Sequence, residues 1–147
     1  MSDLYELKNI DISRQGVKAH VDMSRISRNL NRAQYALDSR IMTDMVPFMP
    51  MQTGNFIQRT VAESAAMAGT GKVMAAAPPF GRFLYYGKVM VGEISRSPWA
   101  MSGEKKVVTD RNLRFSRPEA KAFWFEEAKK RHKDEWIDLV RKELQKR

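Results

Sequence analysis

Near the middle of the chain, two consecutive prolines, Pro78–Pro79, end whatever regular element runs into them. The backbone there is forced to extend or turn. They open the stretch Ala77 to Lys88, Ala-Pro-Pro-Phe-Gly-Arg-Phe-Leu-Tyr-Tyr-Gly-Lys. Four aromatics lie between the prolines and Gly87, and Gly81 and Gly87 allow backbone angles that other residues resist. Arg82 sits inside the aromatic run, where its flat guanidinium can stack or pair. A stretch that is aromatic and broken cannot lie inside a long helix. It reads as the central junction between two halves of the chain.

Each half contains one strong periodicity. Ile26, Leu30, Ala33, Leu37, Ile41 and Met45 recur at steps of three or four, with Arg25, Arg28, Arg32 and Arg40 off the stripe. This predicts an amphipathic helix, opened by Asp22 or Ser24 as a cap and stopped ahead of Pro47. Phe125, Ala128, His132, Trp136, Val140 and Leu144 repeat the pattern, widened by Trp124, Ile137 and Leu139. This predicts a second long helix, opened at Ser116 or Pro118.

Shorter signals fill the rest. Gly16 to Met23 alternates Val17, Ala19, Val21 and Met23 against Lys18, His20 and Asp22, the period of a strand with one wet face. Residues 1–15 read as a loose lead-in. Val46 to Gly54, with Pro47 and Pro50, reads as a stiff connection. Asn55 to Ala77 reads as a hairpin turning at Gly69-Thr70-Gly71. Val89 to Gly92 predicts a short strand, and Val107 to Thr109 and Asn112 to Phe115 predict edge strands. Residues 93–110 form a polar insertion holding Pro98, Gly103 and three serines. Trp99 and Met101 give it something to bury, so it is expected to order only on meeting a partner. The expected fold is α+β, a single domain over 1–147. A small, mostly antiparallel sheet packs against a long N-terminal helix and a long C-terminal helix.

Composition limits the chemistry. With no cysteine there is no disulfide, thiol nucleophile or thiolate metal site. No apolar run approaches the roughly 20 residues needed to span a bilayer. The first nine residues are polar and mixed in charge, unlike a secretory signal. The net charge of +9 permits contact with nucleic acid. Of the 26 Lys and Arg, twelve follow residue 110, interleaved with seven acids, a pattern that favours a solvated helix face over a phosphate stripe. Gly69-Thr70-Gly71-Lys72 resembles the end of a phosphate loop, but Ala66 and Val73 stand where that motif needs Gly and Ser or Thr. His132 and Glu135 share a helix face, yet a helical metal site needs further ligands, and the other histidine, His20, lies in a strand. No residue pair forms a nucleophile and its base. The expectation is a protein that is not an enzyme and holds no cofactor or metal.

The order of features resembles a known family. A strand leads into a long helix ending near a proline. Val46-Pro47 to Thr53-Gly54 follows, then Phe56-Ile57, Gly71, and Pro78-Pro79-Phe80-Gly81-Arg82-Phe83-Leu84-Tyr85-Tyr86-Gly87. Phe115-Ser116-Arg117-Pro118, Ala120, Trp124-Phe125, Ala128-Lys129 and Trp136 complete the set. Over residues 17–147 this is similar to the minor capsid protein family of tailed bacteriophages, related to head–tail connector and tail-completion proteins of the neck. Phe80-Gly81 stands where that family usually has tyrosine-alanine, and the insertion is longer than usual.

The resemblance implies a structural virion protein made in the host cytoplasm. It would form a homo-oligomeric ring, sixfold or twelvefold, between portal and tail. The implied partners are the neighbouring portal or adaptor and tail proteins, with weak nonspecific contact to phage DNA passing through, and no membrane. Head-to-tail ring contacts need a patch on each side of the subunit. The candidates are Trp99 and Met101 in the insertion, Arg82 and Tyr86 in the aromatic stretch, and the exposed faces of the two helices. The alternative reading is a nonspecific DNA-binding or packaging-associated protein.

Overall fold

The computed structural model describes residues 3–147. Met1 and Ser2, the start of the expected lead-in, lie outside the described residues. In chain order the elements are β1 (Ile10–Arg14), β2 (Val17–Val21), α1 (Ser24–Met45), α2 (Asn55–Ala66), α3 (Gly81–Tyr86), β3 (Lys88–Gly92), β4 (Lys106–Asn112) and α4 (Trp124–Gln145). The fold is α+β, with long helices toward both ends. The strands form two separate antiparallel pairs, β1–β2 and β3–β4.

The helix α1 has the bounds its periodicity requires, and Pro47 follows in a 3-10 turn, Val46–Phe48. It packs lengthwise and antiparallel against α4. Near one end, the Asn29 amide donates to the carbonyls of Leu144 and Lys146. Toward the other, the Trp136 indole N–H donates to Asp44 Oδ2 at 2.7 Å, and Arg40 bridges Asp44 and Glu135, both at 2.9 Å. The core gathers Met42, Met45, Phe48, Met49, Ile57, Trp124, Ala128 and Trp136. Four of these eight are methionine or alanine, so shape-adaptable and small side chains let the helices close around the two indoles.

The expected hairpin over 55–77 is corrected. Its first half is the helix α2. Ala62, Ala65 and Ala66 favour helix, and Ile57, Thr60 and Ser64 lie on one buried face at helical spacing. Its second half is irregular, bending at Ala75 and Ala76, and has no strand partner. Two hydroxyls of α2 take over that role: Met74 N–H donates to Ser64 Oγ at 3.3 Å, and Ala77 N–H to Thr60 Oγ1 at 3.2 Å.

The turn between the halves is the Gly-Thr-Gly-Lys stretch. The amides of Gly69 and Gly71 donate to Asp38 Oδ2 at 2.8 and 3.0 Å, and Gln34 holds the other carboxylate oxygen at 2.7 Å. Converging amides of this kind bind anions. Here the anion is internal, a buried carboxylate on α1, which accounts for the motif without any phosphate.

Three further differences have local causes. Residues 10–14, read as part of a loose lead-in, form the strand β1. It pairs Ile10 with Val21 and Ile12 with Ala19 across a turn at Gln15 and Gly16, both at positive φ. The residues before it are tied along α1. Tyr5 exchanges two bonds with the Asn31 side chain, Leu7 N–H donates to Ser27 Oγ, and Asn9 Oδ1 accepts from Met23 N–H. The last helix opens at Trp124 rather than at Ser116 or Pro118. The amides of Lys121 and Phe123 are spent on the carbonyls of Phe48 and Tyr85, and Arg117 reaches the carbonyls of Val46 and Met49. Of the two expected edge strands, Val107 to Thr109 lies within β4, but Asn112 to Phe115 is no strand: β4 ends at Asn112, and Leu113 N–H then donates to Gly87 O at 2.8 Å.

The aromatic stretch is the junction between the halves, built as the short helix α3. A Cβ on Gly81 would stand 2.5 Å from the carbonyl carbon of Ala76, so only glycine lets α3 start this close to the segment after α2. Tyr85 then meets Trp124 edge-on at 4.8 Å.

Candidate subunit interface

The insertion has an internal scaffold, which corrects the expectation that it lacks structure of its own. The strands β3 and β4 pair Met90 with Val108, Val91 with Val107 and Gly92 with Lys106. Beyond Gly92 the chain closes around Glu104. Its Oε1 accepts from the amides of Ile94 and Ser95 at 2.7 and 2.6 Å. Its Oε2 accepts from Met101 N–H at 2.8 Å and Ser95 Oγ at 2.9 Å. Lys106 Nζ donates to Pro98 O at 2.9 Å. Gly92 permits the closure, because a Cβ there would occupy the space of the Glu104 carboxylate and Ser95 Oγ.

With the polar groups turned inward, the apolar side chains point out. Trp99 is 87% exposed, Ile94 80% and Met101 61%. A locked loop with one aromatic and two aliphatic side chains turned outward resembles a binding surface more than a solvated connection. Isolated apolar side chains on a surface are ordinary, but these three project from one short hairpin tip, residues 94–101. Much of the entropy of ordering this loop is already met within the subunit, which leaves more of the burial energy for a partner.

Glu104 is also where pH acts. Hydrogen bonds from the amides of Ser95 and Met101 hold its pKa down, from an ordinary 4.5 to about 2. A depressed carboxylate stabilises the folded tip fully above about pH 4.5, and that contribution is lost as pH falls through about 2. Acid titration followed by NMR is expected to show the Ile94, Ser95 and Met101 amides shifting together in this window. Glu104→Ala at neutral pH is expected to open residues 94–103 to proteolysis with the core melt unchanged. A tip that stays protected in that variant would show that the carboxylate is not its lock.

Arg82 and Tyr86 lie on another element. One turn apart, they share a face of α3. The Arg82 guanidinium sits 5.1 Å over the Phe83 ring, and Tyr86, half exposed, packs edge-on against Tyr85 and Phe123 at 5.9 and 5.6 Å. The four candidates are therefore two pairs, one on the hairpin tip and one on the aromatic junction. Beside the junction runs an open groove of about 830 Å³, lined by Met51, Phe56, Pro79, Phe80, Phe83 and Phe115 among others.

A second projecting surface escaped the sequence reading. All ten residues of β1 and β2 are exposed. Ile10, Ile12, Val17, Ala19 and Val21 share one face by their register, opposite Asp11, Ser13, Lys18 and His20. A two-stranded hairpin is marginal in water without cover on its apolar face. The signal was available: Ile10-Asp11-Ile12-Ser13 alternates as Val17 to Val21 does.

The residues weighed for chemistry are engaged in structure. His132 is half-buried and meets Glu135 at 3.2 Å, and Glu135 also pairs with Arg40. Among the described residues, no group of three or more His, Cys, Asp or Glu is placed to hold a metal ion, and no helix is long and apolar enough to cross a membrane. Comparison with protein-family models, with curated proteins and with solved structures finds no match to this chain.

Proposed function

We propose that this chain is a structural virion protein of a tailed phage, one subunit of a homo-oligomeric ring in the neck between portal and tail. The observation that carries the reading is the β3–β4 tip, a loop locked from inside by Glu104 that turns Trp99, Ile94 and Met101 outward. The apolar face of β1–β2 is a second, different patch. Two unlike patches on one subunit suit a heterologous contact, which closes into a ring when its rotation does. The family resemblance supplies the setting, the sixfold or twelvefold order, and the neighbours above and below. On this reading the chain has no catalytic role.

Electron microscopy of assembled phage tests the proposal directly. The expected result is a ring of this fold at the head–tail junction, matched by a native mass of six or twelve chains for the assembled protein. A virion that lacks the chain, or carries it away from the neck, overturns it. The competing reading, a nonspecific DNA-binding or packaging protein, draws on the net charge of +9.

A further inference from the structure

The fold brings together cations that are distant in sequence. Asn29 Nδ2 donates to Leu144 O at 3.2 Å and Lys146 O at 3.0 Å, and Arg32 pairs with Glu143 at 3.2 Å. The first turns of α1 therefore lie beside the last turns of α4. Arg25 and Arg28 stand four residues before Asn29 and Arg32, and so on the same side of α1. Lys142 is in the last turn of α4, and Arg147 follows it. All four are exposed.

Most acids at this end are engaged, while Glu6, exposed between Tyr5 and Leu7 along α1, enters no ion pair among the described residues. Asp22, the acid that faces Arg28, accepts from the Ser24 amide at 2.9 Å. Asp138 holds Arg141 at 3.3 Å, and Glu143 lies between Arg32 and Lys146. Among the described residues, Arg25, Arg28, Lys142 and Arg147 enter no ion pair. The middle of α4 differs. There Lys129, Lys130 and Lys133 are interleaved with Glu126 and Asp134, and Glu127 takes both Lys121 and Arg131.

We infer that this end of the α1–α4 pair is a phosphate-backbone contact for duplex DNA, made by Arg25, Arg28, Lys142 and Arg147. The inference rests on the neck reading, which supplies duplex DNA as the polyanion that passes the ring. Like charges gathered at one place repel one another, and a row of phosphates relieves that repulsion while releasing counterions. No base is read by such contacts, so the grip is independent of sequence and falls steeply with salt. A single subunit holds the duplex weakly, whereas a ring presents the same end several times and gains from multivalency.

The test is a salt titration of binding to a short random-sequence duplex, read by fluorescence anisotropy, with the full chain. Arg25→Gln, Arg28→Gln and Lys142→Gln combined are expected to flatten the slope of log affinity against log salt by about 3, since each lost contact removes about 0.9. Arg25→Gln alone, at an exposed position, is expected to remove about 0.9. Lys129→Gln, Lys130→Gln and Lys133→Gln combined are expected to leave most of the slope. Equal losses in the two triple variants would show a delocalised charge effect and overturn the assignment. So would a wild-type chain that ignores the duplex at low salt, or one that binds phosphatidylserine vesicles in its place. Native mass on the same samples separates this inference from the neck reading. A ring that forms without duplex binding rejects only the DNA-facing end. Duplex binding through these residues in a chain missing from the virion rejects only the neck.

Discussion

Trp124→Ala is expected to cost the fold about 3–5 kcal/mol, the range for truncating a buried aromatic. Trp124 is fully buried and touches every part of the core that the aromatic junction connects. Its ring meets Phe56 of α2 at 5.9 Å and Tyr85 of α3 at 4.8 Å, both edge-on. Its indole N–H donates to Ala75 O at 2.8 Å, in the irregular segment beside α2. Alanine would leave a cavity and an unpaired, partly buried carbonyl together, and the two losses act in the same direction. Against a total stability of roughly 5–15 kcal/mol, this is a large share. The melting temperature should fall by about 6–20 °C, taking roughly 2–4 °C per kcal/mol for a domain of this size. Trp124→Phe keeps most of the packing and loses the N–H, so it should fall between the two. A melt of Trp124→Ala followed by circular dichroism and lying within a few degrees of wild type would contradict the placement of this side chain at the core.

Trp99→Ser is expected to do the opposite, leaving the subunit stable and preventing its assembly. The Trp99 side chain is 87% exposed, so its removal takes no packing from the isolated subunit, and the Glu104 clamp makes no use of its ring. In a ring, the same side chain is the natural anchor. Aromatic anchors at the centre of an interface typically cost about 2 kcal/mol or more when truncated. Every interface of a closed ring carries the same loss, so the effect multiplies with the number of subunits. The expected observation is an unchanged melting curve, a native mass shifted from ring to monomer, and particles that are tailless or leak DNA. Ile94→Ser and Met101→Ser should weaken assembly in the same sense but less. If Trp99→Ser lowered the melting temperature of the monomer, the ring would be folding back on its own subunit. If assembly were intact, the tip would not be the contact.

The two long helices were legible because their information is local. The stripe from Ile26 to Met45 and the stop at Pro47 need no knowledge of the rest of the chain, and the stripe from Phe125 to Leu144 is equally self-contained. The start of α4 was not legible in the same way. Pro118 is acceptable in a first helical turn, but the amides of Lys121 and Phe123 bond to carbonyls of Phe48 and Tyr85, which no window around Pro118 contains. The Asn55–Ala77 stretch was misread because Phe56, Ile57, Thr60 and Val61 satisfy both a strand and a helical face. Its alanines favoured helix, and the buried hydroxyls of Thr60 and Ser64 decided the outcome by capturing the amides of Ala77 and Met74. Of the candidate site, Trp99 and Met101 were legible as apolar residues in a polar insertion. The Glu104 clamp was not, since a lone glutamate carries no sign of which amides it will meet.

The sequence by itself determined the α+β class, the two amphipathic helices, most of the face each buries, and the break at Pro78–Pro79. These follow from side-chain period and backbone restriction, which act over a few residues. Ile26, Ile137 and Leu144 of the two stripes are nonetheless exposed, and Asp38 and Glu143 are buried. Only the tertiary structure decided which anion fills the Gly69–Gly71 amides, which way the insertion turns its polar and apolar groups, and that β1–β2 stands out with its apolar face uncovered. It alone also placed the first turns of α1, with Arg25 and Arg28, beside the last turns of α4. Each of these depends on a partner from a different part of the chain, such as Asp38 for Gly69 or Asn29 for Leu144. Such pairings are chosen by how the packed helices align, which no local pattern of residues contains.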